Sequence, residues 1–217
     1  MAWQLVVHSK LAWKAFGPAF LWTSVWDTVE ETFGALPFIY GTLMSSAIAL
    51  AVAVPLGVGS AIFLAELAPR RVSNACTFMI ELLAAVPSVI LGLLGIFVLV
   101  PVVRAVEPWL TSALGWLPLF QGEPYGVGLL TAGLILSFMI LPYITVITRE
   151  VLLAVPRPLK EAMMALCATH WETVWNVSLP YARPGIYGSI FLSLGRALGE
   201  TMAVTMVIGN TPKISLS

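Results

Sequence analysis

The chain has 217 residues, of which 59% are hydrophobic and only 10% are charged, and its mean hydropathy is +0.94. Soluble domains carry roughly 25% charged residues, so this composition excludes an ordinary soluble protein and predicts an integral membrane protein. The 11 basic and 11 acidic residues balance to a net charge of zero. That balance provides neither a broad basic field for nucleic acid nor the acidic bias of a disordered chain.

The N-terminal segment, residues 1–36, lacks the pattern of a signal peptide. His8, Ser9 and Lys10 interrupt its apolar run, and no small-residue cleavage site follows them. We expect residues 1–36 to form an extracytoplasmic or interfacial segment, on the side of the membrane that the charge distribution described below indicates.

Four apolar segments are each long enough to cross a bilayer as a helix, for which about 20 residues are needed. They are residues 38–64, 76–103, 126–148 and 184–209. Polar and apolar residues do not alternate along them, which argues against membrane-spanning strands. The sequence therefore predicts an all-α polytopic membrane protein with about four spans.

Each predicted span contains one proline of interest, namely Pro55, Pro87, Pro142 or Pro184. The first three lie in the interior of their spans. Because an interior proline removes one backbone hydrogen bond and its ring crowds the preceding turn, we expect these three to kink their helices.

Basic residues in the short connections indicate the orientation, because cytoplasmic loops carry an excess of Lys and Arg. The two basic connections are residues 65–75 and residues 149–183. Their basic residues are Arg70, Arg71, Arg149, Arg157, Lys160 and Arg183. We expect both connections to be cytoplasmic, and residues 1–36 and 104–125 to lie on the opposite side.

The second basic connection contains a polar island, residues 160–180, with signals for two short helices. Pro158 suits the first turn of a helix, and apolar residues recur after it at helical spacing. These residues are Leu159, Ala162, Met163 and Leu166. Thr169 followed by Glu172 has the spacing of a capping box, which starts a second helix. We expect the two helices to meet at an angle and to be exposed.

An apolar stripe continues along the second island helix. Trp171, Trp175 and Leu179 form this stripe, and Pro180 is expected to end the helix. Two interpretations of such exposed amphipathic helices stay open. They can lie in the lipid interface, or a groove on a cytoplasmic protein can recognise them.

The last predicted span contains two charged residues in apolar surroundings. Arg196 and Glu200 are four residues apart, so on a continuous helix they share a face and can pair. A charge at membrane depth costs roughly 2.5 to 3.5 kcal/mol, so the pair should face protein or water. Thr201 and Thr205 would add hydroxyl groups nearby. The pair is either a salt bridge that fixes packing or an oxyanion site where an anion competes with Glu200 for Arg196.

The sequence contains no motif for enzymatic chemistry. It has no GxxxxGK[ST] phosphate loop and no cluster of nucleophile, base or metal ligands. Cys76 and Cys167 have neither a metal-site spacing nor a disulfide framework. His8 and His170 are solitary, and His170 is expected on the surface of the island. We therefore expect no enzyme activity, no metal and no cofactor bound by this chain.

The island resembles the EAA loop of ABC importer permeases. The residues that carry the resemblance are Glu161, Ala162, Leu179 and Pro180. In that family the loop docks in a cleft of an ATPase subunit, so the resemblance implies a coupling element within residues 149–183. The family usually has glycine at the turn where this chain has Cys167, and glycine is the residue that a left-handed turn favours.

Five blocks of sequence resemble the permease subunits of the bacterial phosphate ABC importer. They are WDTVEETFGALPFIYGTL (26–43), FLAELAPRR (63–71), ELLAAVPSVILGLLGIFVL (81–99), PYGVGLLTAGLILSFMILP (124–142) and GRALGETMAVTMVIGN (195–210). The resemblance covers nearly the whole chain from about residue 12 onward. It implies a type I ABC importer transmembrane domain at residues 37–217 that translocates phosphate. It also implies that the substrate path includes Arg196, Glu200, Thr201 and Thr205.

The same resemblance implies the partners and the location. They are a second, PstA-like permease subunit, a PstB-like ATPase dimer that carries the ATP, an extracytoplasmic PstS-like phosphate-binding protein, and the lipid of a bacterial cytoplasmic membrane. Compared with the six spans of the family, this chain is expected to lack the first and last helices, and residues 1–16 would follow the missing first one.

This interpretation has three alternatives. On the EAA residues alone, a permease for molybdate or sulfate stays open, and so does the sister permease of the phosphate importer, which shares the RALGET core. A secondary transporter is disfavoured because the two halves of the chain show no convincing repeat.

Overall fold

The structure is a computed structural model, and it describes residues 2–27, 32–114 and 127–208. Within these residues the chain is helical except for loops and one short antiparallel pair of strands, which confirms the all-α class. The strands are β1 (Trp26–Asp27) and β2 (Thr32–Phe33), and Trp26 lies opposite Phe33. Parts of the predicted loop 104–125 and of the predicted span 184–209 lie outside the described residues.

Ten α-helices occur in the described part of the chain. In order they are α1 (Ala2–Phe16), α2 (Leu36–Ile62), α3 (Arg70–Ala84), α4 (Ser88–Leu94), α5 (Val100–Leu114), α6 (Leu129–Leu153), α7 (Arg157–Ala165), α8 (His170–Thr173), α9 (Leu179–Gly199) and α10 (Met202–Ile208). A 3₁₀ turn spans Pro18–Leu21, and π-helical turns span Phe63–Leu67, Gly95–Leu99 and Val174–Ser178.

Three described helical segments are long and apolar enough to cross a membrane. They are Leu36–Leu67, Ser88–Val106 and Leu129–Leu153, and a fourth span exists if the bent pair His170–Gly199 and Met202–Ile208 counts as one. The predicted spans 38–64, 126–148 and 184–209 overlap the first, the third and the bent pair. A polytopic membrane protein is therefore confirmed.

The predicted span 76–103 overlaps the second crossing segment, Ser88–Val106, but its predicted start is wrong because a break divides it. Helix α3 ends at Ala84 and α4 begins at Ser88, with Pro87 between them at φ −57° and ψ 136°. Proline disfavours helical backbone in the residue before it and ends helices more readily than it bends them. Pro87 therefore separates two helices instead of kinking one, and the crossing segment starts at Ser88.

The other prolines of the spans lie inside helices that continue past them. Pro55 is within α2, Pro142 within α6 and Pro184 within α9. That Pro55 and Pro142 bend their helices stays a prediction.

The prediction that Pro180 ends the second island helix is also wrong. Helix α8 continues through the π turn Val174–Ser178 into α9, so helical backbone runs from His170 to Gly199. In this wider turn the N–H of Leu179 bonds to the carbonyl of Val174, five residues earlier. Pro180 itself has no backbone N–H, and in a regular α-helix its ring would crowd the carbonyl four residues earlier. The π turn gives the helix a different register just before Pro180.

The core lies between α2 and α6, which pack closely because glycines allow their backbones to approach. A Cβ atom added at Gly133 would lie 2.5 Å from Cγ2 of Ile48, and one added at Gly57 would lie 2.8 Å from Cγ2 of Ile144. Small residues of this kind favour helix association in membranes, where close packing replaces the hydrophobic driving force. The fully buried residues around this contact include Ala49, Ala53, Leu136, Ile140 and Ile144.

Helix α9 also packs against α6. A Cβ at Gly185 would clash with Cγ1 of Val151. The hydroxyls of Thr148 and Ser189, both buried, bond to each other at 2.9 Å. Helix α6 is therefore the central helix, with α2 and α9 on it.

The contact of α2 with α6 predicts opposite results for two glycine substitutions. Gly133→Ala should lower the free energy of unfolding by about 1 to 3 kcal/mol, because the added methyl group overpacks the contact with Ile48. Gly59→Ala adds its methyl group in open space and should leave stability unchanged or raise it by up to about 1 kcal/mol, since alanine favours helix. Thermal unfolding in one detergent measures both. Equal losses from the two variants would contradict the packing described here.

Candidate functional site

The two basic connections lie at the same end of the bundle, as their predicted orientation requires. The guanidinium group of Arg149 donates to Oγ of Ser73 from Nε at 3.2 Å and from Nη2 at 3.1 Å. The hydroxyl of Ser73 in turn donates to the carbonyl of Leu64 at 2.8 Å. The end of α2, the start of α3 and the end of α6 are thereby joined.

The island turns at Cys167, and this residue adopts the left-handed conformation that the family's glycine favours. This residue has φ 62° and is the one described non-glycine residue with a positive φ. The N–H groups of Cys167 and Ala168 bond to the carbonyls of Met164 at 2.9 Å and Met163 at 3.4 Å. These two bonds form a Schellman motif, which satisfies the last carbonyls of α7. The Cys167 side chain is exposed.

The predicted capping box is also confirmed. The Thr169 hydroxyl oxygen accepts from the N–H of Glu172 at 3.3 Å, and the Glu172 carboxylate accepts from the Thr169 N–H at 2.7 Å. Both bonds satisfy N–H groups that a helix start leaves free. The angle between α7 and α8 is therefore fixed by consecutive local motifs.

Glu66 attaches the island to the end of α2, and sequence reasoning missed it. Its carboxylate forms an ion pair with Nζ of Lys160 at 2.7 Å, and its side chain is only 5% exposed. Its backbone carbonyl accepts from Nε2 of His170 at 2.8 Å, so the surface position expected for His170 is correct and includes a structural bond. The signal in the sequence is that Glu66 is the single acidic residue of the basic connection 65–75.

The apolar residues of the island face outward from the chain. Leu166 is 79% exposed, and the tryptophans Trp171 and Trp175 are more than half exposed and contact each other edge to face at 5.9 Å. We call the exposed set the loop face. It consists of Leu159, Met164, Leu166, Trp171 and Trp175.

The residues that carry the EAA resemblance occupy both ends of the island. Glu161 and Ala162 are exposed on α7, and Met163 beside them is half-buried. Leu179 and Pro180 are half-buried at the start of α9. The exposed half of the motif is thus next to the loop face, and the other half packs into the bundle.

The last span breaks at Glu200. Helix α9 ends at Gly199, Glu200 has extended backbone with φ −81° and ψ 117°, and α10 leaves at a bend of 60°. Oε1 of Glu200 accepts from the N–H of Ala203 at 3.3 Å, in the first turn of α10. The predicted pairing of Arg196 with Glu200 is wrong, because that spacing pairs residues only on a continuous helix and the described ion pairs do not include them.

Arg196 stacks on an aromatic ring instead. Its guanidinium carbon lies 4.4 Å from the ring centroid of Tyr143 in α6, a cation–π contact. The Tyr143 hydroxyl donates to the carbonyl of Ala84 at 3.4 Å. Arg196 therefore lies beside the break between α3 and α4, and its N–H groups bond to no other described residue.

The two threonines of the predicted substrate path differ in their bonding. Thr201 is exposed at the break, just before α10. The Thr205 hydroxyl donates to the backbone carbonyls of Thr201 at 2.8 Å and Met202 at 3.0 Å, so its hydrogen is directed into α10. The break thus leaves Arg196 and Thr201 exposed and uses Glu200 as the N-terminal cap of α10, while the Thr205 hydroxyl is bonded to the backbone of α10 itself.

The fold and these sites define a polytopic permease-type membrane protein. The chain belongs to the family of binding-protein-dependent transport system inner membrane components, whose family model matches residues 53–216. This confirms the family-level resemblance that the EAA residues indicate.

Curated relatives agree with the family assignment. The chain is 50% identical to the phosphate transport system permease protein PstC of Mesorhizobium japonicum, over 100% of this chain and 68% of that protein. It is 48% identical to the protein of the same name from Xylella fastidiosa, over 93% of this chain and 64% of that protein. The chain spans about two thirds of the length of these relatives.

A solved structure shares the fold. A chain of the inward-facing MetNI methionine ABC transporter matches with a TM-score of 0.52 at 21% identity, over 76% of this chain and 68% of that chain. At this level of identity the similarity concerns the fold alone.

The turn at Cys167 predicts that one substitution has opposite effects at two cysteines. Cys167→Gly should raise the free energy of unfolding by about 1 kcal/mol, because glycine adopts the left-handed conformation without the Cβ penalty. Cys76→Gly, inside α3, should lower it, because glycine is a poor helix former. Thermal unfolding of both variants in detergent measures the difference. A loss of stability in Cys167→Gly would contradict the strained turn.

Proposed function

We propose that this chain is the permease subunit of an ATP-driven importer that moves inorganic phosphate across the cytoplasmic membrane of a bacterium. The support comes from relatives named phosphate transport system permease proteins at about half identity and from the family match to binding-protein-dependent transport components. In this proposal the chain itself hydrolyses nothing, and a partner ATPase binds the ATP.

The ATPase docks on the loop face. The island is fixed on one side by Glu66, Lys160 and His170, while its other side exposes Leu166 and Trp171. Short helices with exposed apolar residues and a fixed geometry suit a groove on a partner. An interfacial lipid anchor needs only an apolar face, so the rigid attachment to α2 favours the protein partner. This attached, outward-facing island is the observation that carries the coupling role.

Phosphate binds to Arg196, which lies beside two helix breaks, the one between α3 and α4 and the one between α9 and α10. A guanidinium group offers two parallel N–H donors to an oxyanion, and the Tyr143 ring supports one face of this group while leaving its edge open. Because Glu200 caps α10, it does not compete for Arg196 in this conformation. Thr201 provides an exposed hydroxyl next to it.

The remaining partners follow from the family. A second permease subunit completes the membrane path, two ATPase subunits drive it, and an extracytoplasmic phosphate-binding protein delivers the anion. The basic connections 65–75 and 149–183 then face the cytoplasm, where the ATPase lies. The names of the relatives favour phosphate over molybdate or sulfate.

Substitution of the path arginine tests the substrate role. Arg196→Gln removes the charge and the bidentate donor, and it should reduce phosphate uptake per permease molecule by about 10-fold or more, since a charged hydrogen bond contributes about 1.5 to 3 kcal/mol. Arg183→Gln, an exposed arginine on the same helix, is the control and should retain uptake. Uptake of radiolabelled phosphate, normalised to permease abundance, measures the effect of both substitutions. Undiminished uptake in Arg196→Gln would show that this residue only packs.

Substitution on the loop face tests ATPase docking. Leu166→Asp places a charge where the partner groove expects an apolar side chain, and since burial of a leucine contributes about 1.5 to 3 kcal/mol, ATPase co-purification should fall about 10-fold or more. Leu166→Met keeps the apolar contact and should retain the ATPase. Pull-down of the ATPase with each variant from solubilised membranes measures this. Equal recovery of ATPase with both variants would favour the lipid-interface interpretation.

A further inference from the structure

The last turn of α2 is bonded by side chains from distant parts of the chain. The π turn Phe63–Leu67 ends α2, and its final carbonyls need partners outside the helix. The carbonyl of Leu64 accepts from Ser73 at 2.8 Å, and the carbonyl of Glu66 accepts from Nε2 of His170 at 2.8 Å. Since a carbonyl only accepts, Nε2 carries the proton in this bond.

The carboxylate of Glu66 makes a second, independent attachment. It pairs with Lys160 at 2.7 Å, and the two side chains are 5% and 19% exposed. The pair of Arg149 with Glu150 is equally short at 2.6 Å, but the Glu150 side chain is 63% exposed. Solvent screens the exposed pair, so this pair contributes little to stability. Breaking the enclosed pair would leave a carboxylate without solvent or partner.

Glu66 therefore bonds to both helices of the island at once. Its carboxylate holds the first turn of α7 through Lys160, and its carbonyl holds the first residue of α8, His170. The island is already continuous in sequence with α6 and α9. Through Glu66, α2 is attached to the island as well.

We propose that Glu66 is a positioning residue that makes the island and the end of α2 move as one body. This inference rests on the proposed docking of an ATPase on the loop face. A displacement of the island then passes directly to α2, which packs along α6 in the core, and not only through the covalent connections to α6 and α9. The π turn places the Glu66 carboxylate and carbonyl where α7 and α8 can both be reached.

Removal of the Glu66 charge tests the coupling in the assembled transporter in proteoliposomes. Glu66→Gln should lower the phosphate transported per ATP hydrolysed by about fivefold or more, the low end of typical coupling factors, while the ATPase still co-purifies. The double variant Glu66→Lys with Lys160→Glu reverses the pair and should restore most of the ratio. Glu150→Gln removes a charge from the exposed pair nearby and should leave the ratio unchanged.

Two results would overturn the inference. One is a wild-type transport ratio in Glu66→Gln. The other is a loss of transport in proportion to permease abundance or ATPase recovery, with no rescue by the double variant, which would make Glu66 merely structural.

A distance measurement distinguishes a failure of this inference from a failure of the proposed function. Spin labels at the native Cys167 and at Leu56→Cys, an exposed position of α2, report the island and α2 in a Cys76→Ser background. In the complex with the ATPase, the distance between the labels should stay the same when ATP binds, and it should change on ATP binding in Glu66→Gln. A change in the otherwise wild-type complex would overturn the inference. Absence of phosphate uptake by the wild-type complex would instead refute the proposed function.

Discussion

A helix end leaves backbone N–H and C=O groups without helical partners, and inside a bilayer or a packed protein these groups have to bond elsewhere within the protein. The breaks in this chain obey that constraint through side chains and tight turns. Ser73 and His170 bond to carbonyls at the end of α2, and Tyr143 bonds to the carbonyl of Ala84 at the end of α3. Glu200 caps the start of α10. The breaks are thus specific structures that the sequence maintains with particular side chains.

The residues that the proposed function uses are found at these breaks. Arg196 lies against Tyr143, next to the gap between α3 and α4 and a turn before the gap between α9 and α10. The island is connected to the bundle at the end of α2 through Glu66. An importer needs a polar path and a moving joint in an apolar bundle, and a helix end provides both because it has free polar groups and a change of direction.

The sequence predicts the features that depend on neighbouring residues. The capping box of Thr169 and Glu172 follows from residues three positions apart and is confirmed. The left-handed backbone of Cys167 was indicated by the glycine that the resembled family has at this turn. The spans 38–64 and 126–148 follow from hydropathy alone. The breaks at Pro87 and Glu200 do not, because hydropathy measures composition and is blind to the backbone conformation of a single residue.

Sequence patterns also do not predict contacts between residues that are distant in the chain. Tyr143 and Arg196 belong to different helices, and Glu66 is 94 residues from Lys160, so no periodicity relates the members of either pair. Arg196 was therefore assigned a neighbour on its own helix, Glu200, in place of its true neighbour in space. The resemblance indicates Arg196 and the island as functional regions but does not give their contacts.

We infer that the island links a partner ATPase to the helix breaks around Arg196. A cryo-electron microscopy structure of the transporter with its ATPase subunits in lipid nanodiscs would show this link. We expect Leu166 and Trp171 to be buried in a cleft of the ATPase, Glu66 to pair with Lys160, and α9 to end before Glu200. A loop face immersed in lipid headgroups, with Arg196 paired to Glu200 on one continuous helix, would contradict it.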